Sequence, residues 1–242
     1  ADRVITVSEN LAREVCQHLM LPPERVTALH GGIDTDVFRQ HDSGHDSELA
    51  PKVAAIRKNN PVILNIGSNI RRKNLPTVLR ALAILRDAHR LDARLVKIGT
   101  KLHGSDHQPL IDELRLNDAV IDLGFQTPQQ VASACRLSGA LSFASLYEGF
   151  GRPTLEAQAC GLPCVLADAS CMREIGGDGA LYHPPTNERE LAAQLHRVLT
   201  DTTVRADLIQ RGLKNIDRFS WTNYASRLRQ IYRQVSSPMS DH

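Results

Sequence analysis

"PVILNIGSNIRRKNLPTVLRALAILRDAHRLDARLVKIG", residues Pro61–Gly99, holds the pattern on which the fold turns. An apolar run of buried-strand type, Pro61–Gly67, leads into a stretch in which Leu75, Val78, Leu79, Leu82 and Leu85 share one helical face. A second strand-like run, Ala93–Gly99, follows. Strands that are apolar throughout, alternating with amphipathic helices, predict a parallel sheet covered on both faces.

The same alternation extends in both directions. Downstream, a helix is expected near Pro109–Leu116 and a strand over Ala119–Gly124. Thr127–Gln130 reads as a capping box with proline at the first helical position, opening a helix to Leu137. Strands are expected over Gly139–Ser145, Pro163–Asp168 and Ala180–His183. Asn187 with Glu190 caps a helix over Glu188–Leu199, and two more helices span Val204–Lys214 and Trp221–Gln234. Upstream lie a strand at Val4–Val7, an amphipathic stretch at Leu11–Leu19, a strand at Val26–Leu29 and the turn signal "HGGID". Between Phe38 and Asn60 the composition shifts to His, Asp, Ser and Lys, which predicts a linker with a short helix over Glu48–Lys58.

Composition excludes several classes. With 42% apolar and 23% charged residues in 242, the chain is of ordinary globular type. A net charge of +2 with dispersed Lys and Arg gives no case for nucleic acid, and 4% aromatics leaves few stacking platforms. The five cysteines lack zinc-site spacing and are read as buried thiols of a reducing compartment. No apolar run approaches membrane-spanning length, and no signal peptide is visible. The chain opens without Met, in "ADRVITVSEN", which reads as a start partway through a domain.

In a parallel sheet, ligands sit beyond the carboxyl ends of the strands, and unusual residues fall there. After Pro61–Gly67 come Ser68, Asn69 and the cations Arg71, Arg72 and Lys73. A glycine that admits close backbone approach, followed by cations, suits phosphate; a solvated basic loop is the plain alternative. Gly124 and Phe125 follow the Ala119–Gly124 strand. After Gly139–Ser145 comes "LYEGFGRPTLEAQACGLP", with Glu148 and Glu156 around Gly149, Phe150 and Gly151. Pro153 places a helix start near Arg152, so the amides of Gly149–Thr154 form an anion site at a positive dipole end. Glu156 is expected in the first helical turn, where it either accepts hydrogen bonds from a vicinal diol such as ribose or simply stabilises the helix terminus. Glu148 is a hydroxyl acceptor or a solvated loop residue.

These stretches resemble the retaining glycosyltransferases of family 4. "EGFGRPTLEAQACGLPCVLA" is similar to their E-x7-E motif, and the resemblance runs in order through "LPPERVTALHGGIDTDVF", "NIGSNIRRKNLPTVLRALAIL" and "MREIGGDGALYHPPTNERELAAQL". It implies an α/β fold: a Rossmann-like parallel sheet with helices on both faces, the C-terminal half of a GT-B glycosyltransferase. The implied donor is a nucleoside-diphosphate sugar. Arg72 and Lys73 neutralise its diphosphate, although Ser68 stands where the family often has arginine, so Arg71 and Arg72 both remain candidates. Glu148 binds hydroxyls of the transferred sugar and Glu156 the ribose. Gly67 and Ser68, the amides of Gly149, Phe150 and Gly151, and Thr154 and Leu155 line the donor. Gly124 and Phe125 pack on the nucleobase. No metal and no cofactor are expected, and no protein nucleophile is required.

The resemblance also implies an organisation: residues 1–38 as a remnant of the acceptor domain, 39–60 as linker, 61–214 as the donor-binding domain, and 215–242 as a helix returning to the acceptor domain. The first segment and last helix are then expected to lack packing partners, and the chain alone to turn over poorly or not at all. The similarity to bacterial polysaccharide and mannosyl transferases implies GDP-mannose as donor and a glycan or lipid-linked acceptor. A cytoplasmic site at the inner membrane face, with peripheral association of the parent enzyme, would follow. The alternatives are a nucleotide-sugar epimerase of the same fold and a non-catalytic sugar-nucleotide-binding module.

Overall fold

The structure, a computed structural model, describes residues 2–41, 49–58 and 60–236. A short parallel pair comes first: β1 (Val4–Thr6), α1 (Glu9–Leu19) and β2 (Val26–Ala28), with Val4 opposite Val26. α1 begins earlier than its apolar spacing indicates, because the Ser8 side chain accepts from Leu11 N and caps it. α2 (Leu49–Arg57) covers the described part of the helix expected in the linker; Glu48 lies outside the described residues. Within that stretch Phe38 and Val53 are buried in the main core.

The main sheet follows with β3 (Val62–Gly67), α3 (Leu75–Asp87), β4 (Arg94–Gly99), α4 (Gln108–Glu113) and β5 (Val120–Gly124). Next are α5 (Pro128–Leu137), β6 (Ala140–Phe143), α6 (Arg152–Ala159), β7 (Cys164–Ala167), α7 (Met172–Gly176) and β8 (Ala180–His183). α8 (Glu188–Thr200), α9 (Thr202–Ile216) and α10 (Trp221–Ser236) close the described chain. The capping box of α5 and the Asn187 cap of α8 form as the sequence predicts.

All six strands are parallel, in the order β5-β4-β3-β6-β7-β8. Alternate residues of β3 feed two apolar layers. Val62 and Leu64 pack with Val131, Leu155 and Leu166, while Ile63 packs with Leu79, Leu82 and Leu195. That is why the strand run carries no polar alternation. The parallel α/β sheet with helices on both faces is therefore as expected.

One expectation about the ends and one about the cysteines change. Gly32 packs so closely on the start of α10 that a Cβ there would lie 2.4 Å from Trp221 N, and Ile33 N donates to Phe219 O at 3.1 Å. The first segment and the last helix thus pack on each other, although Trp221 and Tyr232 stay exposed and Ile231 is the buried anchor of α10. Four cysteines are buried and free, whereas Cys16 is only half-buried because α1 lies outside the main core. Among the described residues no helix is long and apolar enough to cross a membrane.

Candidate active site

Strand order reverses between β3 and β6, which are neighbours in space although two strands separate them in sequence. At such a point the chains leaving the two carboxyl ends diverge and open a crevice. The residues of the basic loop and of the glutamate-bracketed loop meet there.

Beyond β3 the chain passes Gly67 (φ +138°) and makes one helical turn at Arg71–Lys73. Asn74 (φ +54°) then starts α3, with Pro76 in its first turn. Asn74 ties this turn across the sheet: its Nδ2 donates to Ala144 O at 3.1 Å and Pro185 O at 2.6 Å. Leu146 N donates to Arg72 O at 2.8 Å, so the two loops share backbone as well.

This tie brings the charges together. Lys73 Nζ lies 2.5 Å from Glu148 Oε1, and Arg72 Nη1 lies 2.8 Å from Glu148 Oε2 and 3.0 Å from Tyr147 O. Burial works to raise the Glu148 pKa, but hydrogen bonds from Lys73 and Arg72, the nearby Ser145 hydroxyl and the charge of Lys73 outweigh it and hold the carboxyl below its ordinary range. Lys73 also lies over the Phe143 ring, 4.8 Å from its centroid. Both candidate arginines are exposed, and Arg72 is the one that reaches Glu148.

Glu148 is fixed by its backbone too. Its N–H donates to Ser170 Oγ at 3.0 Å, and Cys171 Sγ donates to its carbonyl at 3.1 Å. Ser170 holds a left-handed backbone (φ +46°), a conformation that costs a non-glycine residue about 1 kcal/mol or more. No motif in the sequence marks this clamp, which comes from the loop after β7.

Gly149, Phe150 and Gly151 lead to α6, which starts at Arg152 as expected. Gly151 (φ +83°) holds a backbone that strains any side chain, and a Cβ there would meet Met172 Cε at 2.4 Å and push that flexible side chain aside. Glu156 does not fall in the first helical turn. It is the fifth residue of a helix that begins at Arg152, one turn deeper, where terminal stabilisation has faded. Its side chain is 14% exposed and its ion-pair partner is Arg152, at 3.8 Å and itself 63% exposed. Burial therefore pushes the Glu156 pKa up, and Arg152 offsets this only in part. Thr154 is buried with its hydroxyl unpartnered, and the Leu155 side chain belongs to the core.

Ser68 is half-buried beside Gly67. Gly124 (φ +70°) and Phe125 end β5, the edge strand, and the Phe125 ring is 84% exposed.

Four other residues carry no motif in the sequence. Lys97 is fully buried inside β4, where the only signal was a lysine in an otherwise apolar run. His30 stacks on Phe150 with centroids 6.1 Å apart, and its Nε2 lies 2.5 Å from Glu174 Oε1. Glu174 also accepts from the amides of Glu9 (2.6 Å) and Asn10 (3.1 Å) at the start of α1. Tyr147 Oη donates to Glu14 Oε2 at 2.6 Å, which ties α1 to the glutamate-bracketed loop as Glu174 ties it to α7.

Residues 46–215 match the family model described as Glycosyl transferases group 1. A D-inositol 3-phosphate glycosyltransferase of Thermobispora bispora is 30% identical over 97% of the chain and 56% of its own length. The O-antigen chain mannosyltransferase B of Escherichia coli is 25% identical over 96% of the chain and 61% of its own length. Among solved structures, Anabaena HepE in complex with UDP and glucose superposes with a TM-score of 0.81 at 22% identity, covering 98% of this chain and 63% of HepE. The chain thus spans less than two thirds of the length of each.

Proposed function

The chain belongs to the group 1 glycosyl transferases, and from that membership we propose that it binds a nucleoside-diphosphate sugar and takes part in moving the hexose to a glycan or lipid-linked acceptor. The observation that carries this reading is the meeting of Arg72, Lys73 and Glu148 across the strand-order reversal. Cations on one wall and a buried carboxylate on the other suit a ligand with phosphates at one end and sugar hydroxyls at the other.

In this reading Lys73 and Arg72 face the diphosphate, with the amides of Phe150 and Gly151 beside them. Glu148 accepts hydrogen bonds from the sugar. Glu156 accepts from the ribose diol, and Gly124 and Phe125 lie against the base. Transfer breaks the bond between the anomeric carbon and the diphosphate oxygen, and the electron pair leaves with the phosphate. The preorganised cations stabilise that developing charge without requiring a metal. The acceptor hydroxyl attacks the same face, its proton passes to the departing phosphate oxygen, and configuration is retained.

GDP-mannose is the leading donor, in keeping with the mannosyltransferase names among the relatives; the UDP complex of HepE makes UDP-hexoses the comparison to run. The deciding experiment is a thermal-shift panel of UDP, GDP, ADP, their sugars and the matching nucleosides, because a ligand of the folded state raises its stability. A rise in Tm with one diphosphate series, larger than with its nucleoside, is the expected result. No rise with any of them overturns the reading.

A further inference from the structure

Lys97 has no place in the donor contacts above, and its position calls for a reason. It sits inside β4, next to the edge strand β5, with no exposed surface, among Leu95, Val96 and Ile98. An ammonium is costly to bury unless acceptors meet it, and an apolar residue would fill the same volume at no such cost. Here the acceptors are backbone carbonyls at the carboxyl ends of two strands: Lys97 Nζ donates to Gly67 O and, at 3.0 Å, to Ile98 O.

Gly67 ends β3 where the basic loop begins, and it is held between two ammonium groups. A Cβ on Gly67 would lie 3.6 Å from Lys73 Nζ, while its carbonyl rests on Lys97 Nζ. The approach depends on Gly99 (φ +107°), where a Cβ would sit 2.3 Å from Gly67 O. We propose that Lys97 is a positioning residue for the diphosphate, a buried cation that fixes Gly67 and adds its charge to that of Lys73 at the phosphate end of the cleft. This rests on reading the cleft as a nucleoside-diphosphate site.

Two charged groups face Lys97. Asp122, its register partner on β5, favours the charged form; its carboxylate also accepts from the amides of Leu102 and His103, both at 2.9 Å. Lys73, from the loop after β3, disfavours it, with Glu148 beyond. Burial is the largest influence, and the balance brings Lys97 down to about 8. A diphosphate arriving at Lys73 adds negative charge nearby and favours charged Lys97. By linkage, diphosphate affinity is then greatest while Lys97 is protonated and falls as pH rises past about 8.

The test measures dissociation constants of UDP, GDP, ADP and the matching nucleosides on the full chain between about pH 7 and about pH 9.5. For the diphosphate that binds best, affinity should fall roughly five- to tenfold across that range, corresponding to a bound-state shift of about one pKa unit, with the nucleoside unchanged. Lys97→Met should weaken the diphosphate by a similar factor at neutral pH and abolish the pH dependence. Asp122→Asn should move the fall to lower pH, a readout that stands even where Lys97→Met does not fold. A flat wild-type curve, a fall that persists in Lys97→Met, or equal losses for nucleoside and diphosphate in Lys97→Met would each overturn the role of Lys97. If no diphosphate binds the wild-type chain, the donor-site reading fails together with this one; binding with a flat curve removes the role of Lys97 alone.

Discussion

Lys73 and Glu148, 75 positions apart in sequence, form a 2.5 Å ion pair in which neither side chain is more than 13% exposed. The cation proposed to meet phosphate is thus paired with the carboxylate proposed to meet sugar.

The pair contributes to stability, and its sign with pH follows from Glu148. A carboxyl held below its unfolded value adds stability that is present above that value and is lost as pH falls through the folded one. Wild type should therefore lose Tm relative to Glu148→Gln as pH drops below about 4.5, the ordinary glutamate value. Glu148→Ala should cost about 1–3 kcal/mol at neutral pH, below the range for a fully enclosed pair because Arg72 is 44% exposed and keeps one carboxylate oxygen near water. Chemical denaturation at several pH values checks both.

Binding should respond in opposite directions at the two partners. Lys73→Ala should weaken nucleoside diphosphate far more than nucleoside. Glu148→Gln should tighten free nucleoside diphosphate roughly three- to tenfold, equivalent to about 1 kcal/mol, by releasing the cation. It should also lose the preference for the sugar-bearing donor. Titration calorimetry with diphosphate, nucleoside and nucleotide sugar separates these effects, and a uniform loss across all three in either variant would count against the assignment.

Glu156 should trade stability for binding. A carboxyl raised above its unfolded value contributes stability at low pH that is lost as pH rises through the folded value. At neutral pH the buried ionised form is a burden, so Glu156→Gln should raise Tm near pH 7 and lose that advantage near pH 4. Glu156→Ala should weaken nucleoside and nucleotide alike by about 1–3 kcal/mol, the value of charged hydrogen bonds to a diol. Unchanged affinity for both would leave Glu156 without a ligand role.

Gly99→Ala should be among the most damaging single changes near the cleft. The added Cβ must displace the backbone carbonyl of Gly67 and also sit at φ +107°. A loss of more than about 2 kcal/mol is expected from the clash and strain together. Gly104→Ala is the control: φ is again positive, at +71°, but nothing lies within 4 Å of the new atom, so only the backbone strain remains.

The element order was legible because strands buried on both faces advertise themselves and because caps are local. Thr127 and Gln130 decide the start of α5 within one turn of chain. α7 was missed because five residues flanked by turns give no periodicity to read. The site was legible as a set of strand-end residues but not as a geometry. The pairing of Lys73 with Glu148 depends on β3 lying beside β6, a strand order that local spacing does not contain. Lys97 was absorbed into an apolar run, and His30 with Glu174, 144 positions apart, carried no shared motif. Glu156 lies one turn deeper than its motif spacing suggests, because α6 begins at Arg152.

The parallel run of all six strands has an evolutionary consequence. The side chains that assemble the sheet and those that face the cleft occupy different stretches of chain. On the proposed reading of the cleft, mutations in Ser68–Arg71 or around Phe125 can therefore alter base and sugar preference while Val62, Leu64 and Leu79 keep the fold intact. Lys97 is where that independence ends, because one residue there serves both the interior and the cleft, and drift in specificity should slow at that position.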